Sequence, residues 1–524
     1  MFARMEEKLH KLPIGVQDFE SLRMDGYVYI DKTKYLHHLV NAGRYYFLSR
    51  PRRFGKSLFL STLKAYFEGK RELFYDTYIG KHEEEWTQYP VLKIDFNAED
   101  YTSVDRLEGV LNDFLCKQEA KYGSEASETT PGLRFQGIIE RACRQCGQRV
   151  VILVDEYDKP LLHAIDNPEL QDAFRRIMKG FYGVLKSQDA FIRFAFITGV
   201  TRFSKISVFS DLNNLNDISM NNACHNICGI TEDELTQTFP AEIQRLADGE
   251  GMTYDECLAA LRRHFDGYHF RDGATGIYNP FSILKTFYNN EISSYWFESG
   301  TPTYLMKLLK LHDWNLRNME FAHQSVDQLN GIDSEMSNPI PVIYQSGYLT
   351  IKGYDAEFSD YILGFPNEEV EQGFIKYLAP FYLSRTENRN AFDVRSFVYD
   401  VRGGNVDDFC RRLKALFADT PYEQVKDLEN HYQNIVWIVF KIMGFYTQTE
   451  YHTSFGRIDL VVKTTEYIYV MEFKLDGTAE ETMAQINSKD YSLPFTLDGR
   501  KVFKIGMNFS SETRNIERYI IEQA

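Results

Sequence analysis

The stretch Leu48–Leu60, LSRPRRFGKSLFL, predicts a strand, a loop and a helix in direct succession. The apolar residues Tyr45–Leu48 are typical of a buried strand, and the residues after Gly55 have the apolar spacing of a helix. Gly55, Lys56 and Ser57 fit a phosphate-binding loop, in which backbone N–H groups and the helix N-terminus face the phosphates. In such a loop Lys56 reaches the β and γ oxygens, and the Ser57 hydroxyl ligates Mg²⁺.

The loop departs from the usual pattern G-x-x-x-x-G-K-[ST] at its first position. Arg50 stands where that pattern has a glycine, which normally serves a tight turn. The sequence Gly55-Lys56-Ser57 is therefore only a moderate signal when taken alone, and the interpretation needs a second part of a nucleotide site.

That second part is an apolar run that ends in two acids. Val150–Val154 is continuously apolar, as expected of a strand buried on both faces of a parallel sheet. Asp155 follows the run and could hold Mg²⁺ through a water, while Glu156 could polarise the attacking water. A charged turn that caps a core strand is the alternative. The combination with Gly55-Lys56-Ser57 favours a nucleotide site.

Four segments resemble a bacterial family called AAA-ATPase-like, whose members often carry a PD-(D/E)XK nuclease-like domain at the C-terminus. The segments are YIDKT at Tyr29–Thr33, RPRRFGKS at Arg50–Ser57, DEYDKP at Asp155–Pro160 and ITGVTRFSK at Ile197–Lys205. The resemblance covers essentially the whole chain, and the family shares the arginine at position 50. It implies a P-loop NTPase domain that uses ATP and Mg²⁺.

A further buried strand, Phe191–Val200, leads to polar residues of the kind that sense the γ-phosphate in ATPases of this broad class. Thr198 or Thr201 would fill that role. Arg202 would either reach the phosphates or form an ordinary ion pair. The segment Tyr29–Thr33 would either wall the base pocket or cap a helix. The predicted ATP-binding residues are Arg53, Phe54, Gly55, Lys56, Ser57, Leu58, Asp155, Thr198 and Arg202.

The C-terminal stretch 429–509 predicts a second metal site. Gly456–Val462 is predicted as a strand with Asp459 near its start, and the following strand carries Glu472 and Lys474 on one face because side chains alternate. Two carboxylates and a lysine on neighbouring strands fit a Mg²⁺ site in which Lys474 orients or activates the attacking water. The order of elements resembles the PD-(D/E)XK nuclease core.

The predicted site residues of the two domains can be grouped by role. The metal ligands are Ser57 and Asp155 in the first site, and Asp459, Glu472 and the Phe473 carbonyl in the second. The catalytic residues are Glu156, Asp459, Glu472 and Lys474. The resemblance to the nuclease core further implies Glu429 as an auxiliary acid and Gln485 as a backbone-positioning residue.

Composition and charge limit the class of protein. The 524 residues are 44% hydrophobic and 26% charged, which describes a globular chain with ample core. The net charge of −16 argues against a surface coated in nucleic-acid-binding charge, so DNA or RNA contacts would come from local basic patches. No signal-peptide core and no run of about 18 apolar residues occurs, so we expect a cytoplasmic protein without a membrane partner. The seven cysteines are expected to be reduced.

We therefore predict an α/β multidomain protein with a defined order of domains. They are a P-loop domain with a parallel sheet and helices on both faces (1–225), a helical lid or winged-helix-like region (226–365), a helical connector (366–424) and a restriction-endonuclease-like domain (425–524).

The predicted function is a switch protein that binds and hydrolyses ATP. This switch is expected to be coupled to a Mg²⁺-dependent nuclease-like domain. That domain would act on DNA or RNA, in defence or mobile-element biology. The alternative is a nucleotide-regulated protein whose end domain recognises nucleic acid or a protein without cleavage. A homo-oligomer is compatible with both.

Overall fold

The structure is a computed structural model with two compact units. It describes residues 9–202, 214–297, 305, 308–309, 314, 316–319, 322–329, 338–382, 394–418, 428–442, 446–448, 451–453 and 456–524. The first unit comprises 1–308 and 320–371, and the second comprises 309–319 and 372–524. None of the described helices is both long enough and apolar enough to cross a membrane. The predicted domain boundaries stay predictions.

A parallel five-stranded sheet forms the centre of the first unit. Its strands lie in the order β2-β3-β4-β1-β5, and every neighbouring pair is parallel. The inner strand β3 is fully buried, as its continuous apolar run predicts. The strands are β1 (Tyr45–Ser49), β2 (Val91–Asp95), β3 (Val150–Asp155), β4 (Ile192–Gly199) and β5 (Asn216–Asp217).

Helices flank this sheet. The helix after β1 begins at Lys56 because Gly55 has a φ of 97°, a left-handed conformation that glycine adopts without strain. The apolar and aromatic segment Tyr27–Ile30 does not form a strand. This segment is extended but bonds to the N-terminal segment, with Val28 N–H donating to Lys11 O at 3.0 Å, instead of joining the sheet. The helices are α1 (Phe19–Met24), α2 (Thr33–Ala42), α3 (Lys56–Phe67), α4 (Tyr78–His82), α5 (Val104–Tyr122), α6 (Pro131–Cys146), α7 (Lys159–His163), α8 (Pro168–Tyr182) and α9 (Val184–Ser187).

Four amphipathic helices continue the first unit and share one apolar core. Two of them start with capping boxes, Thr231 with Glu234 and Thr253 with Glu256, in which side chain and backbone bond reciprocally. The helices are α10 (Glu232–Thr238), α11 (Pro240–Glu250), α12 (Tyr254–Phe265) and α13 (Pro280–Asn289).

A small antiparallel sheet completes the first unit. Its strand order is β6-β8-β7, and two helices lie between the first and second strands in the chain. All six residues of the second of these helices are buried, so this helix is part of the core. The elements are β6 (Ala322–Ser325), α14 (Val326–Leu329), α15 (Ile340–Gln345), β7 (Thr350–Asp355) and β8 (Asp360–Gly364).

The second unit is built on a five-stranded mixed sheet. Its order is β15-β14-β13-β12-β9, and β13 and β14 are the parallel pair. The predicted strand Gly456–Val462 is interrupted at Asp459, because this residue bonds to groups on β13. The sequence did not predict the last strand, β15. The helices are α16 (Glu368–Tyr382), α17 (Val394–Gly403), α18 (Val406–Ala418), α19 (Leu428–Ile442) and α20 (Ala479–Ser488), and the strands are β9 (Tyr446–Gln448), β10 (Tyr451–Thr453), β11 (Gly456–Ile458), β12 (Leu460–Lys463), β13 (Tyr467–Leu475), β14 (Lys501–Ser510) and β15 (Asn515–Gln523).

Candidate functional sites

The loop Arg50–Gly55 joins the carboxyl end of β1 to α3. Arg53 and Gly55 have positive φ angles of 68° and 97°, and they give the loop its tight curvature. Lys56 is only 4% exposed, and its Nζ donates to Arg50 O at 2.9 Å and to Pro51 O at 3.1 Å. The ammonium therefore lies inside the loop and is bonded to carbonyls of the loop itself.

The acid at the end of β3 is bonded to the neighbouring strand. β4 lies between β3 and β1 in the sheet, and Thr198 near its end is fully buried. Thr198 Oγ1 donates to Asp155 Oδ1 at 2.7 Å. The structure thus places a hydroxyl from the intermediate strand directly on the acid that the sequence predicts as a metal ligand.

One cleft of about 480 Å³ brings most of the predicted residues together. Glu156 lies in its wall and has a φ of 51°, a strained conformation for a residue other than glycine. Asp95, the last residue of β2, and Lys159, the first residue of α7, extend the same wall. The predicted residues that line the cleft are Arg53, Gly55, Lys56, Ser57, Leu58 and Glu156.

Next to this cleft lies a smaller, mainly apolar cavity of about 100 Å³. Tyr29, Ile30 and Leu58 contribute to its wall. Asp31 meanwhile bonds to the start of α2, where its Oδ1 accepts from Thr33 N–H at 2.8 Å and from the Thr33 hydroxyl at 2.7 Å. Tyr29 and Ile30 thus line an apolar cavity, while Asp31 bonds to Thr33, the first residue of α2. A base pocket at this cavity stays a prediction.

Two predicted nucleotide residues have other side-chain neighbours. Phe54 is 1% exposed and packs edge-on against Tyr268 and Phe270, with ring centroids at 4.7 and 5.7 Å. Arg202 forms an ion pair with Asp217, and its backbone N–H donates to Gln345 Oε1 at 2.7 Å. Both side chains connect the region around the loop to later parts of the first unit.

In the second unit, Asp459 and Glu472 are held against each other. Asp459 N–H donates to Glu472 Oε2 at 3.3 Å, and Phe473 N–H donates to Asp459 Oδ2 at 3.0 Å. Burial, followed by the nearby charge of Asp459, raises the pKa of Glu472 to about 8. Glu472 therefore tends to keep its proton at neutral pH, mainly because burial disfavours its charged form and secondly because Asp459 is close.

Gln485 on α20 bonds to this pair, and Lys474 on β13 has its ammonium group near Glu481 of the same helix. Gln485 Nε2 donates to Glu472 Oε1, so this residue positions a carboxylate directly. Lys474 Nζ lies 3.5 Å from Glu481 Oε2, and its side chain is 45% exposed. The side chain of Glu429 lies outside the described residues.

Comparison with known proteins gives the family. Residues 13–209 match the family model described as a predicted AAA-ATPase, and residues 427–519 match the PD-(D/E)XK nuclease superfamily. An uncharacterized protein in the vnfD 5' region of Azotobacter chroococcum mcd 1 is 33% identical over 523 residues, which are 98% of this chain and 99% of that protein. The chain belongs to the AAA-ATPase-like family. Its C-terminal part carries a PD-(D/E)XK nuclease-like domain, as the motifs indicate.

The AAA-ATPase-like unit contains a buried acid to which the sequence analysis gave no role. Asp158, three residues after Asp155, accepts from Thr201 N–H at 2.6 Å, from the Thr201 hydroxyl at 2.5 Å and from Val200 N–H at 3.2 Å. Burial, and then the charge of Glu156, raises the pKa of Asp158 to about 6. Asp158 thus fixes the residues that follow Thr198, and the motif DEYDKP contained the signal.

Both sites suit Mg²⁺ by the chemistry of their donors. Mg²⁺ prefers oxygen ligands and is usually held by one or two carboxylates together with waters and substrate phosphates. Asp155 and the Ser57 hydroxyl supply such oxygens in the first unit, and Asp459 with Glu472 does so in the second. Burial and then the charge of Asp459 raise the pKa of Glu472, and a divalent cation would favour the charged form of both carboxylates.

Proposed function

We propose that this protein binds and hydrolyses ATP in its first unit and that the nucleotide state controls a Mg²⁺-dependent nuclease-like domain acting on DNA or RNA. One observation carries the first half of the proposal. Lys56, Ser57 and Glu156 line one cleft at the carboxyl edge of a parallel sheet, and Asp155 is bonded there to Thr198. This arrangement supports phosphoryl transfer to water.

Each residue of the first site has a chemical role in this proposal. Lys56 exchanges its bonds to loop carbonyls for bonds to phosphate oxygens, and backbone N–H groups at the start of α3 add further donors. Glu156 accepts a proton from the attacking water, which is the role of a general base. The apolar cavity beside Leu58 suits the flat face of the adenine base. When bound, Mg²⁺ would neutralise charge on the phosphates.

Isothermal titration calorimetry with ATP and Mg²⁺ tests the first half. Lys56→Ala should abolish measurable nucleotide binding and leave the circular dichroism spectrum unchanged. Lys64→Ala is the matched control, because Lys64 lies on the same helix but pairs with Glu68 at 3.7 Å and does not line the cleft. Parental affinity in Lys56→Ala would show that the nucleotide site is elsewhere.

Contacts of Asp459 and Glu472 support the second half of the proposal. The two carboxylates are adjacent and lie beside Lys474 on β13, which matches the residue types of a metal-dependent phosphodiesterase. Asp459→Ala should remove metal-dependent cleavage of DNA or RNA without changing ATP hydrolysis. Asp498→Ala is the control, because Asp498 pairs with Arg500 at 2.6 Å within one surface turn.

A panel of DNA and RNA substrates, with Mg²⁺ or Mn²⁺ and with or without ATP, separates this proposal from its alternative. Cleavage that disappears in Asp459→Ala and changes in Lys56→Ala supports an ATP-controlled nuclease. If the parental protein binds nucleic acid or a protein but cleaves nothing under any of these conditions, the end domain serves recognition alone.

A further inference from the structure

Arg50, at the start of the Arg50–Gly55 loop, has a guanidinium group that is buried among carbonyl groups. The residue is 1% exposed. Its Nη1 donates to Ser49 O at 2.9 Å and to Ser219 O at 2.7 Å. Its Nη2 donates to Cys224 O and to His225 O, each at 3.2 Å. The side chain therefore ties β1 to the segment that follows β5.

Further contacts of the same residue reach the nucleotide cleft. Arg50 N–H donates to Gly199 O at 3.2 Å, at the end of β4 beside Thr198. Its carbonyl accepts from Lys56 Nζ at 2.9 Å. The guanidinium lies over the ring of Phe270, with the Cζ atom 4.0 Å from the ring centroid. Arg50 thus contacts the candidate sensing strand, the loop lysine and a later segment of the unit at once.

The backbone explains why an arginine is compatible with a position that usually holds glycine. Residues with positive φ in this loop are Arg53 and Gly55, and Arg50 is not among them. The turn that a first glycine normally allows is therefore made further along the loop. The position is free to carry a long side chain, and a buried arginine costs desolvation unless its donors are bonded.

We propose that Arg50 is a positioning residue that preorganises the loop for the phosphates of ATP. This inference rests on the proposed ATP binding of the first unit. The Arg50 amide donates to the Gly199 carbonyl, and its guanidinium donates to four further carbonyls. These bonds fix the direction of the Arg50 carbonyl, which in turn holds the Lys56 ammonium before ATP binds. The hydrogen-bond partners of the guanidinium are neutral carbonyls, so these bonds do not cancel its positive charge. That charge also favours a nearby triphosphate.

Preorganisation of this kind acts on binding and not on the chemical step. A loop that is ordered before ATP arrives loses less conformational freedom on binding, so affinity rises. Once ATP is bound, Asp155, Glu156 and Thr198 are unaffected by how the loop was held. Removal of the guanidinium should therefore raise KM and Kd while kcat at saturating ATP stays close to the parental value.

The experiment compares Arg50→Met, Arg50→Lys and the control Arg141→Met in the full chain. Arg141 is also a largely buried arginine, but it pairs with Glu128 away from the cleft. We expect Arg50→Met to weaken Mg²⁺·ATP binding about tenfold or more, since bonds from a charged donor are lost. Arg50→Lys should restore only part of the affinity, because one ammonium has three donors and no planar fork. The control should bind ATP like the parent.

Three outcomes overturn the inference. The first is a parental Kd and KM in Arg50→Met. The second is a lower thermal midpoint with an unchanged Kd, which would mean that Arg50 serves stability alone. The third is a fall in kcat without a change in Kd or KM. If Arg50→Met does not fold, Phe270→Leu is tested in its place. This change removes the aromatic ring beneath the Arg50 guanidinium and should also raise the Kd for ATP. An unchanged Kd in Phe270→Leu would overturn the inference. If the parental protein itself does not bind ATP, the proposed function is rejected instead.

Discussion

Thr198 Oγ1 donates a hydrogen bond of 2.7 Å to Asp155 Oδ1, across two parallel strands of the first unit. The two residues are 43 positions apart in the chain. Their contact follows from the strand order, which inserts β4 between the acidic strand and the strand before the loop. The hydroxyl of the intermediate strand is thereby placed directly on the acid at the end of β3.

Thr198→Val removes this hydroxyl and nearly preserves its shape. Asp155 then loses a buried donor, so its carboxylate is less well held for Mg²⁺, and ATP hydrolysis should fall about tenfold. Steady-state hydrolysis at several Mg²⁺ concentrations measures the effect. Thr482→Val is the control, since Thr482 is a buried threonine of the second unit that bonds to Thr478 O at 2.8 Å. A parental Mg²⁺ dependence would contradict the role of the contact.

Glu156→Gln removes the carboxylate and keeps the shape of the side chain. ATP should still bind, while hydrolysis should drop by about 10²-fold or more, as expected when a general base is lost. Parallel calorimetry and phosphate release measure the two effects. Glu169→Gln, an exposed change in the first turn of α8, should alter neither. Hydrolysis at the parental rate would place the base elsewhere.

Trp296→Phe tests whether the outer side of the Arg50–Gly55 loop is held by the later part of the unit. The indole Nε1 donates to Arg52 O at 3.3 Å, and its ring packs against Tyr348. Phenylalanine keeps an aromatic ring but loses the donor, so Mg²⁺·ATP affinity should fall about threefold to tenfold. Fluorescence-detected titration with a labelled nucleotide gives the Kd.

Trp86→Phe is the matched control for this change. Trp86 Nε1 donates to Glu83 O at 3.2 Å, a bond of the same type that lies outside the loop. Equal effects of the two substitutions on the Kd would mean that loss of an indole donor in general, and not the contact with Arg52, is responsible.

Glu472 predicts a pH dependence of stability in the metal-free protein. Its pKa is raised from 4.5 to about 8 by burial and then by Asp459, so the folded state binds the proton more tightly than the unfolded state. The stabilising effect of that proton is complete below the unfolded pKa and is lost as the pH rises through the folded pKa. Glu472→Gln has no proton to lose and should therefore gain thermal stability relative to the parent between pH 5 and pH 8.5.

Thermal melts in EDTA at several pH values measure this difference. Glu512→Gln, an exposed change in the same unit, should show a melting difference that does not vary with pH. A parental pH profile in Glu472→Gln would mean that the carboxyl is not perturbed.

Local features of the sequence determined the central strands and the loop. The continuous apolar run Val150–Val154 can only be satisfied by burial on both faces, so it predicted β3 and the acid at its end. The sequence Gly55-Lys56-Ser57 predicted the start of α3, and the alternation along β13 predicted that Glu472 and Lys474 share a face. These features depend on residues within one element, where short-range geometry is decisive.

Only the tertiary structure decided which distant groups meet. Arg50 bonds to Ser219 O across 169 positions, Asp158 to Thr201 across 43, and Phe54 is buried against Tyr268. The break at Asp459 and the raised pKa of Glu472 likewise follow from the approach of two strands. The partners of the first three contacts lie too far apart in the chain for a local pattern to pair them, and desolvation depends on everything packed around a group. The charge, exposure and hydrogen bonds of these residues were therefore fixed only when the chain had folded.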